Sequence, residues 1–224
     1  NGIQVNGAGK VSVIGMTNSI TGTHAGIEVV QGNVKLDDNA VATPIEGSNV
    51  SILSQSDSAS YGIYLHGIEG NNGEPDEIGH ANTDITADYV KISATGKNSS
   101  SSPTVVGVLS ELNDGELHIK AGKKGLEIVA NASSLTNTTG SVSGVKSENS
   151  GLLQLESAGD LSIQSTFGDE TETVGGKSTA VDIYSNDDGK EHKITLTAQH
   201  DVILRAESTN GNTRAIQAGI HDTA

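Results

Sequence analysis

The sequence predicts an all-β protein in which the chain winds as a single-stranded parallel β-helix, a three-sided solenoid of about six to seven coils of about 36 residues. Three observations lead to this prediction. A small residue followed by a β-branched residue recurs at a regular distance, short runs with alternating apolar residues lie between these pairs, and no segment of useful length has the helical period. Residues 1–224 are therefore expected to form one β-helix fragment, with an inserted loop at about residues 66–82.

The recurring pair, named the glycine run, defines the period. It occurs seven times, as Gly2-Ile3, Gly26-Ile27, Gly62-Ile63, Gly107-Val108, Gly144-Val145, Ala180-Val181 and Ala215-Ile216. The successive distances are 24, 36, 45, 37, 36 and 35 residues, so four of the six lie within two residues of 36. The first coil is therefore short, and the third coil carries an insertion.

Two further runs are expected in each coil, and each has apolar residues at positions i and i+2, the period of a β-strand. The second run comprises residues 11–13, 34–36, 117–119, 153–155 and 194–196. The third run comprises residues 50–52, 90–92, 126–128, 161–163 and 202–204. Asn49, Asp160 and Asp201 directly precede third runs, where a short polar side chain can hydrogen-bond to the backbone of a corner.

Local spacing alone is also compatible with an antiparallel meander, in which short hairpin loops join neighbouring strands. The recurrence at about 36 residues favours the parallel arrangement, in which equivalent strands of successive coils stack ~4.8 Å apart. In that arrangement the inward Val, Ile and Leu side chains form continuous columns.

The connection from each third run to the next glycine run varies in length, and its residues are polar. These segments are residues 54–60, 95–104, 131–140, 166–179 and 207–213. In a solenoid they all emerge along one edge, named the third corner. Insertions confined to one edge often make a binding surface, although tolerated surface decoration is an equally good interpretation.

The segment 66–82 is expected to replace the second strand of the third coil, and it is the most individual part of the sequence. Its acidic and histidine residues are the candidate ligand-binding residues: His66, Glu69, Glu74, Asp76, Glu77 and His80. Oxygen ligands would suit Ca²⁺, but the spacing matches no EF-hand loop. A solvated acidic loop is the favoured interpretation, so no metal site and no cofactor are predicted.

Composition limits the classes of partner. The formal net charge is −15, which disfavours nucleic acid and anionic membrane surfaces. The chain has no Cys, and therefore has neither a disulfide framework nor a thiolate metal site. No apolar stretch approaches ~20 residues, so no direct membrane insertion is expected.

No catalytic residue is predicted, and the protein is expected not to be an enzyme. A glycoside hydrolase needs two carboxylates ~5–9.5 Å apart, but the outward columns of the predicted strands contain no neighbouring pair. Glu28 and Asp182 share the glycine-run column but lie four coils apart. The sequence also contains no nucleophile elbow, P-loop or dinucleotide fingerprint in a strand-to-helix context.

Several segments resemble one another and a known protein family. The stretches "GSNVSILS", "ADYVKISA", "AGDLSIQS" and "AQHDVILRA", each followed by a Ser/Thr/Asn-rich loop and a glycine run, are similar to autotransporter passenger domains of type V secretion. Two-partner-secreted haemagglutinin-like adhesins share this style. The resemblance covers nearly the whole chain and implies a right-handed β-helix on the surface of a Gram-negative cell, anchored in the outer membrane through another part of the parent protein.

The resemblance implies a fragment of a cell-surface adhesin. Its expected partners are host extracellular matrix, a host cell-surface protein or glycan, or other bacteria through self-association in a biofilm, and a monomer is expected. The alternatives are a structural stalk segment and, less favoured, a polysaccharide-degrading β-helix enzyme. A trimeric phage spike is the remaining alternative.

Overall fold

A computed structural model describes residues 2–6, 10–16, 23–29, 32–37, 44, 46–56, 59–66, 81–98, 104–111, 115–134, 140–148, 151–168, 176–185 and 193–220. These residues form an all-β structure without helices. The strands are β1 (Gly2–Asn6), β2 (Lys10–Met16), β3 (Thr23–Val29), β4 (Gly32–Asp37), β5 (Asn49–Ser56), β6 (Ala59–Leu65), β7 (Ala81–Asn98), β8 (Thr104–Ser110), β9 (Gly115–Ser134), β10 (Ser141–Ser147), β11 (Gly151–Ser157), β12 (Leu161–Phe167), β13 (Lys177–Ser185), β14 (Lys193–Ala198), β15 (Val202–Ser208) and β16 (Thr213–Ile220). Within the described ranges, no helix is long and apolar enough to cross a membrane.

The strands stack in parallel on three faces of a solenoid of about four turns, which confirms the predicted fold class, but the turns are fewer than the six to seven coils predicted. The glycine face is formed by β3, β6, β8, β10, β13 and β16. The second face contains β1, β4, the first halves of β7 and β9, β11 and β14. The third face contains β2, β5, the second halves of β7 and β9, β12 and β15. Because β7 and β9 continue around a corner, the second and third faces join into one ten-stranded sheet.

The hydrophobic core lies between the three faces. On the glycine face the inward column runs in register through Ile27, Ile63, Val108, Val145, Val181 and Ile216. On the third face, columns such as Val50, Val90, Leu126 and Leu161 complete the hydrophobic core. Inward side chains are closely covered over about four turns, from β5 to β13, whereas Ile216 in the last described strand is 64% exposed.

In the central turns, the glycine of the glycine run is required for steric reasons. A Cβ at Gly62 would lie 2.5 Å from the carbonyl oxygen of Gly107 and 2.5 Å from Cγ2 of Ile92. Gly107 has the same two kinds of neighbour, Gly144 in the next turn and Ile128 on the third face, both at 2.5 Å. The backbone of one turn therefore passes directly over the next at this position, and a side chain there would collide with backbone.

The first coil differs from its prediction. Gly2-Ile3 is not part of the glycine face, because Ile3 pairs with Val34 in β4 of the second face. Residues 11–13 belong to the third face, since Val11 pairs with Val50. A pair of small and β-branched residues identifies a strand, but it does not identify the face on which that strand lies. The 24 residues between Gly2 and Gly26 therefore separate strands on two different faces, and they are not the length of one coil.

The third coil also differs from its prediction. The segment 66–82 does not replace a strand, because the first half of β7 occupies the second face between β4 and β9. Thr83 pairs with Val34 and Leu117, and Ile85 pairs with Leu36 and Ile119. The alternation was missed because the inward residue Thr83, only 1% exposed, is polar. Strand β7 begins at Ala81, so the last two residues of the predicted insertion are strand residues.

The predicted third-corner segments all join the third face to the glycine face, as expected, but they are shorter than predicted. Strands β5, β7, β9 and β12 continue into those segments, to Ser56, Asn98, Ser134 and Phe167. Inside this corner the Ser54 and Ser60 hydroxyls lie 2.9 Å apart, and Ser165 and Ser178 repeat the arrangement at 2.8 Å. Residues 57–58, 99–103, 135–139 and 169–175 lie outside the described residues.

Polar side chains stabilise the corner between the second and third faces through hydrogen bonds and an ion pair. As predicted, Asp160 and Asn49 bond to the backbone there: Asp160 accepts from the Asp201 N–H at 3.2 Å, and Asn49 donates to the Gly47 carbonyl at 2.9 Å. Asp88, which lies at a register shift in β7 and is 4% exposed, could not be identified from the sequence. Its carboxylate accepts from the Gly47 N–H at 2.9 Å and lies 3.7 Å from Nζ of Lys124.

The charge of Asp88 is expected to stabilise the fold in a pH-dependent way. Burial alone would raise the pKa of Asp88, but hydrogen bonds from the backbone of Gly47 and Lys124 and the Lys124 ammonium together lower the pKa below 3.8. A depressed folded-state pKa means that the stabilisation is present above about pH 4 and is lost as the pH falls. We expect Asp88→Asn to lower the free energy of unfolding by about 1–3 kcal/mol at neutral pH, and by less in acid.

Urea unfolding of both proteins at neutral and at acidic pH measures this difference. Asp84→Asn is the matched control, because Asp84 lies on the same strand with 54% of its side chain exposed. An equal loss of stability for Asp88→Asn at the two pH values would show that its charge does not contribute.

Candidate functional site

The candidate site predicted from the sequence is only partly described. His66 directly follows β6, at the point where the insertion begins. The other candidate residues, Glu69, Glu74, Asp76, Glu77 and His80, lie outside the described residues, so their grouping remains a prediction. The predictions of no metal site and of a solvated acidic loop are likewise untested there. Within the described ranges, no group of three or more His, Asp and Glu side chains is placed to hold a metal ion.

His66 belongs to a stack of rings on the outer side of the glycine face. The Tyr61 and Tyr64 ring centroids lie 4.8 Å apart, and the Tyr64 and His66 centroids lie 4.4 Å apart. All three side chains come from β6 and its end. Tyr64 and His66 are outward positions i and i+2, whereas Ile63 and Leu65 point into the core and are fully buried. Tyr61 joins them because the alternation is interrupted at Gly62 and Ile63, which are both buried.

Two carboxylates from neighbouring turns hold this stack. Glu28 in β3 lies 2.7 Å from the His66 ring through Oε1 and Nε2. The Tyr64 hydroxyl donates to Oε2 of Glu111 at 2.7 Å, and Glu111 directly follows β8. We name Glu28, Tyr61, Tyr64, His66 and Glu111 the His66 cluster. It joins three successive turns at the base of the insertion.

The electrostatics of the cluster keep its phenols protonated. Burial, followed by the charges of Glu111 and Glu148, raises the pKa of Tyr61 to about 12. Burial, followed by the hydrogen bond to Glu111, also raises the pKa of Tyr64 far above its usual range. The two phenols therefore stay protonated to a higher pH than ordinary tyrosines do. The cluster places their hydroxyls and an imidazole beside carboxylates, and 52% of the Glu28 side chain is exposed. This set suits hydrogen bonding to a polar ligand.

The sequence predicts that no outward column contains carboxylates in neighbouring turns, and the structure tests this prediction. Glu28 and Asp182 do lie four turns apart, in a column through Tyr64, Leu109 and Lys146. However, Glu111 and Glu148 follow the paired residues Ser110 and Ser147, so two carboxylates do occupy adjacent turns. They were missed because they lie one residue beyond β8 and β10, outside the outward column predicted from the glycine runs.

Asp182 in the same column is 2% exposed. Burial raises its pKa, whereas Lys177, with Nζ 3.6 Å from Oδ2, and Lys146 act in the opposite direction. It lies three turns from Tyr64, so it belongs to a separate part of the glycine face.

The tyrosines of the cluster were not singled out from the sequence, although a signal existed. The chain has only four Tyr and one Phe, and two of the Tyr lie three residues apart in one strand. An aromatic pair within one short segment, in a chain that uses so few aromatic residues, is a reason to expect a site there, although regular alternation would place the two rings on opposite sides of the strand. Glu28 and Glu111 could not be assigned to it without the register of the three turns.

Comparisons with known proteins identify no relative of this chain. No protein-family model matches the chain, and no curated protein and no solved structure matches it.

Proposed function

We propose that this chain is part of an extracellular bacterial adhesin, similar in kind to autotransporter passenger domains, and that its recognition surface is the insertion together with the His66 cluster at its base. The observation that carries the proposal is the His66 cluster itself. Aromatic rings and carboxylates from three turns converge on an outer face at the point where the insertion begins. Structural demands of the solenoid alone do not require such a grouping, because the inward columns already provide the core.

The solenoid is a suitable support for such a surface. Each internal strand is paired on both sides, so a binding surface on its outer face has a rigid base. The net charge of −15 favours solubility of an exposed rod. The target class that fits polar groups beside tyrosine rings is a host matrix protein, a host cell-surface protein or glycan, or the surface of another bacterium.

The proposal is tested by binding of the purified chain to immobilised matrix proteins and to host cells. Two variants address the site: a deletion of residues 67–80, and Tyr64→Phe, which removes the hydroxyl that donates to Glu111. Tyr89→Phe is the matched control, because Tyr89 makes the same kind of hydrogen bond to Glu127 on the third face.

We expect saturable binding that the deletion abolishes, that Tyr64→Phe weakens about tenfold, and that Tyr89→Phe leaves unchanged. Binding that survives the deletion would move the site to the third corner and contradict the proposal. Absence of binding by the unaltered chain would favour a stalk segment.

A further inference from the structure

Carboxylates line the outer side of the glycine face at the His66 cluster. Backbone hydrogen bonds continue the parallel pairing one residue beyond β8 and β10, where the Glu111 and Glu148 N–H groups donate at 2.8 and 2.9 Å. His66, Glu111 and Glu148 therefore lie beside one another in three successive turns, at a strand spacing of ~4.8 Å. Glu28 belongs to the turn before His66 and lies 2.7 Å from its ring. Three carboxylates thus lie within four neighbouring turns of the same outer side.

These carboxylates differ in how far their charge is neutralised. Lys146 forms an ion pair with Glu148. Glu28 pairs instead with the His66 ring, and among the described residues no Lys or Arg is paired with it. Because 52% of the Glu28 side chain is exposed, a cation from solution can reach this carboxylate. Glu28 is therefore the group of the cluster that is best placed to pair with a charged ligand.

Aromatic rings beside Glu28 are a second feature of the site, independent of its charge. Tyr61, Tyr64 and His66 stack with centroid separations of 4.8 and 4.4 Å, and all three side chains are partly exposed. The charges of Glu111 and Glu148, after burial, raise the pKa of Tyr61 to about 12, so the negative potential extends over the rings. Flat rings in a negative field attract a planar cation, which can stack on them and pair with a carboxylate together.

The same charges disfavour other classes of ligand. The chain has a net charge of −15, and residues 67–80, which follow His66 in the sequence, contain four acidic residues and no Lys or Arg. An anionic ligand would be repelled by this field. A neutral glycan would gain nothing from it, whereas a cationic group gains both electrostatic steering and a charge-assisted hydrogen bond. An ammonium group shares the charge of a guanidinium but lacks the plane that stacks on rings.

We propose that the His66 cluster binds an arginine side chain in a basic segment of a partner protein. The guanidinium pairs with the Glu28 carboxylate and lies against the exposed part of the aromatic stack. Neighbouring Lys or Arg residues of the partner are attracted by the remaining negative charge. This inference rests on the proposed function, because it names the partner chemistry of the same surface. Of the targets considered above, it selects proteins with basic segments over glycans.

Fluorescence anisotropy of a labelled arginine-rich peptide, titrated with the whole chain, tests the proposal. A peptide with citrulline in place of arginine keeps the planar shape and removes the charge, and a lysine peptide keeps the charge and removes the plane. Glu28→Gln removes the carboxylate charge from the site. Glu116→Gln is the matched control, because the Glu116 side chain is 50% exposed and lies 3.8 Å from the His118 ring on the second face. Circular dichroism of each variant establishes that the fold is retained.

We expect Glu28→Gln and the citrulline peptide each to weaken binding about tenfold, and Glu116→Gln to change the affinity by less than about twofold. The lysine peptide should bind more weakly than the arginine peptide, and added salt should weaken both. Equal losses in Glu28→Gln and Glu116→Gln would show that the peptide responds only to overall charge, and would overturn the site. Equal binding of the citrulline peptide, or no binding of the arginine peptide at millimolar concentration, would overturn the ligand class.

Competition separates this test from the test of adhesion. If the chain binds matrix proteins or cells and the deletion of residues 67–80 abolishes that binding, the arginine peptide should compete with it. Failure to compete would overturn the partner chemistry and leave the adhesive site in place. Peptide binding that Glu28→Gln weakens, without any binding to matrix proteins or cells, would support the arginine site and contradict adhesion to those targets.

Discussion

Gly107→Val is expected to lower the free energy of unfolding by about 3 kcal/mol, or to prevent folding of the central turns. Gly107 lies in β8 at the centre of the glycine face, and its Cβ would meet the Gly144 carbonyl oxygen and the Ile128 Cγ2 atom, each at 2.5 Å. The first of these contacts is with backbone that is itself paired in β10, so it cannot rotate away. Urea unfolding followed by far-ultraviolet circular dichroism measures the loss.

Gly219→Val is the matched control for this substitution. Gly219 also lies in a strand of the glycine face, but among the described parts of the chain no atom lies within 4 Å of its Cβ position. Since Val is also favoured in strands, the control should change stability by less than about 0.5 kcal/mol. Equal stability of the two variants would contradict the close stacking of turns at the glycine run.

Ile128→Ala is expected to lower the free energy of unfolding by about 4 kcal/mol. Ile128 is 0% exposed and lies in the inward column of the third face between Ile92 and Ile163. Removing the side chain loses its transfer free energy and leaves a cavity, because paired strands on both sides prevent the site from collapsing. The same unfolding experiment measures the effect.

Ile203→Ala on the same face provides the comparison. Ile203 occupies the outward column next to Ser162 and is 45% exposed. Its loss should cost less than about 1 kcal/mol, because little buried surface disappears. If Ile203→Ala were as destabilising as Ile128→Ala, the assignment of inward and outward columns on the third face would be wrong.

The central turns could be predicted from the sequence because two constraints repeat there without interruption. The glycine run marks a close backbone contact that admits only glycine or, at Ala180, a methyl group, and the inward positions demand apolar residues at i and i+2. Where either constraint weakens, the prediction was wrong. Gly2-Ile3 carries the local pattern on a different face, and Thr83 fills an inward position with a polar residue.

The candidate site was predictable only in its position along the chain. The length excess of the third coil pointed to the insertion, and His66 does lie at its start. Glu28 lies 38 residues from its partner His66, and Glu111 lies 47 residues from its partner Tyr64, so the identity of these partners depends on register rather than on local sequence.

The arrangement of this site depends on one central claim, that equivalent strands of successive turns stack in register on each face. Distances between paired nitroxide labels test it directly, and the absence of Cys from the chain allows labels at introduced cysteines only. The outward column of the third face offers Ser12, Ser162 and Ile203, with Ser51, Lys91 and Glu127 between Ser12 and Ser162.

Double electron–electron resonance on the pairs Ser51/Ser162, Ser12/Ser162 and Ser12/Ile203 is the decisive measurement. These pairs are separated by three, four and five strand spacings. We expect distances that increase evenly, about 14, 19 and 24 Å at ~4.8 Å per strand. Distances that do not grow with the number of turns, as in an antiparallel meander, would contradict the stacked solenoid and the His66 cluster built on it.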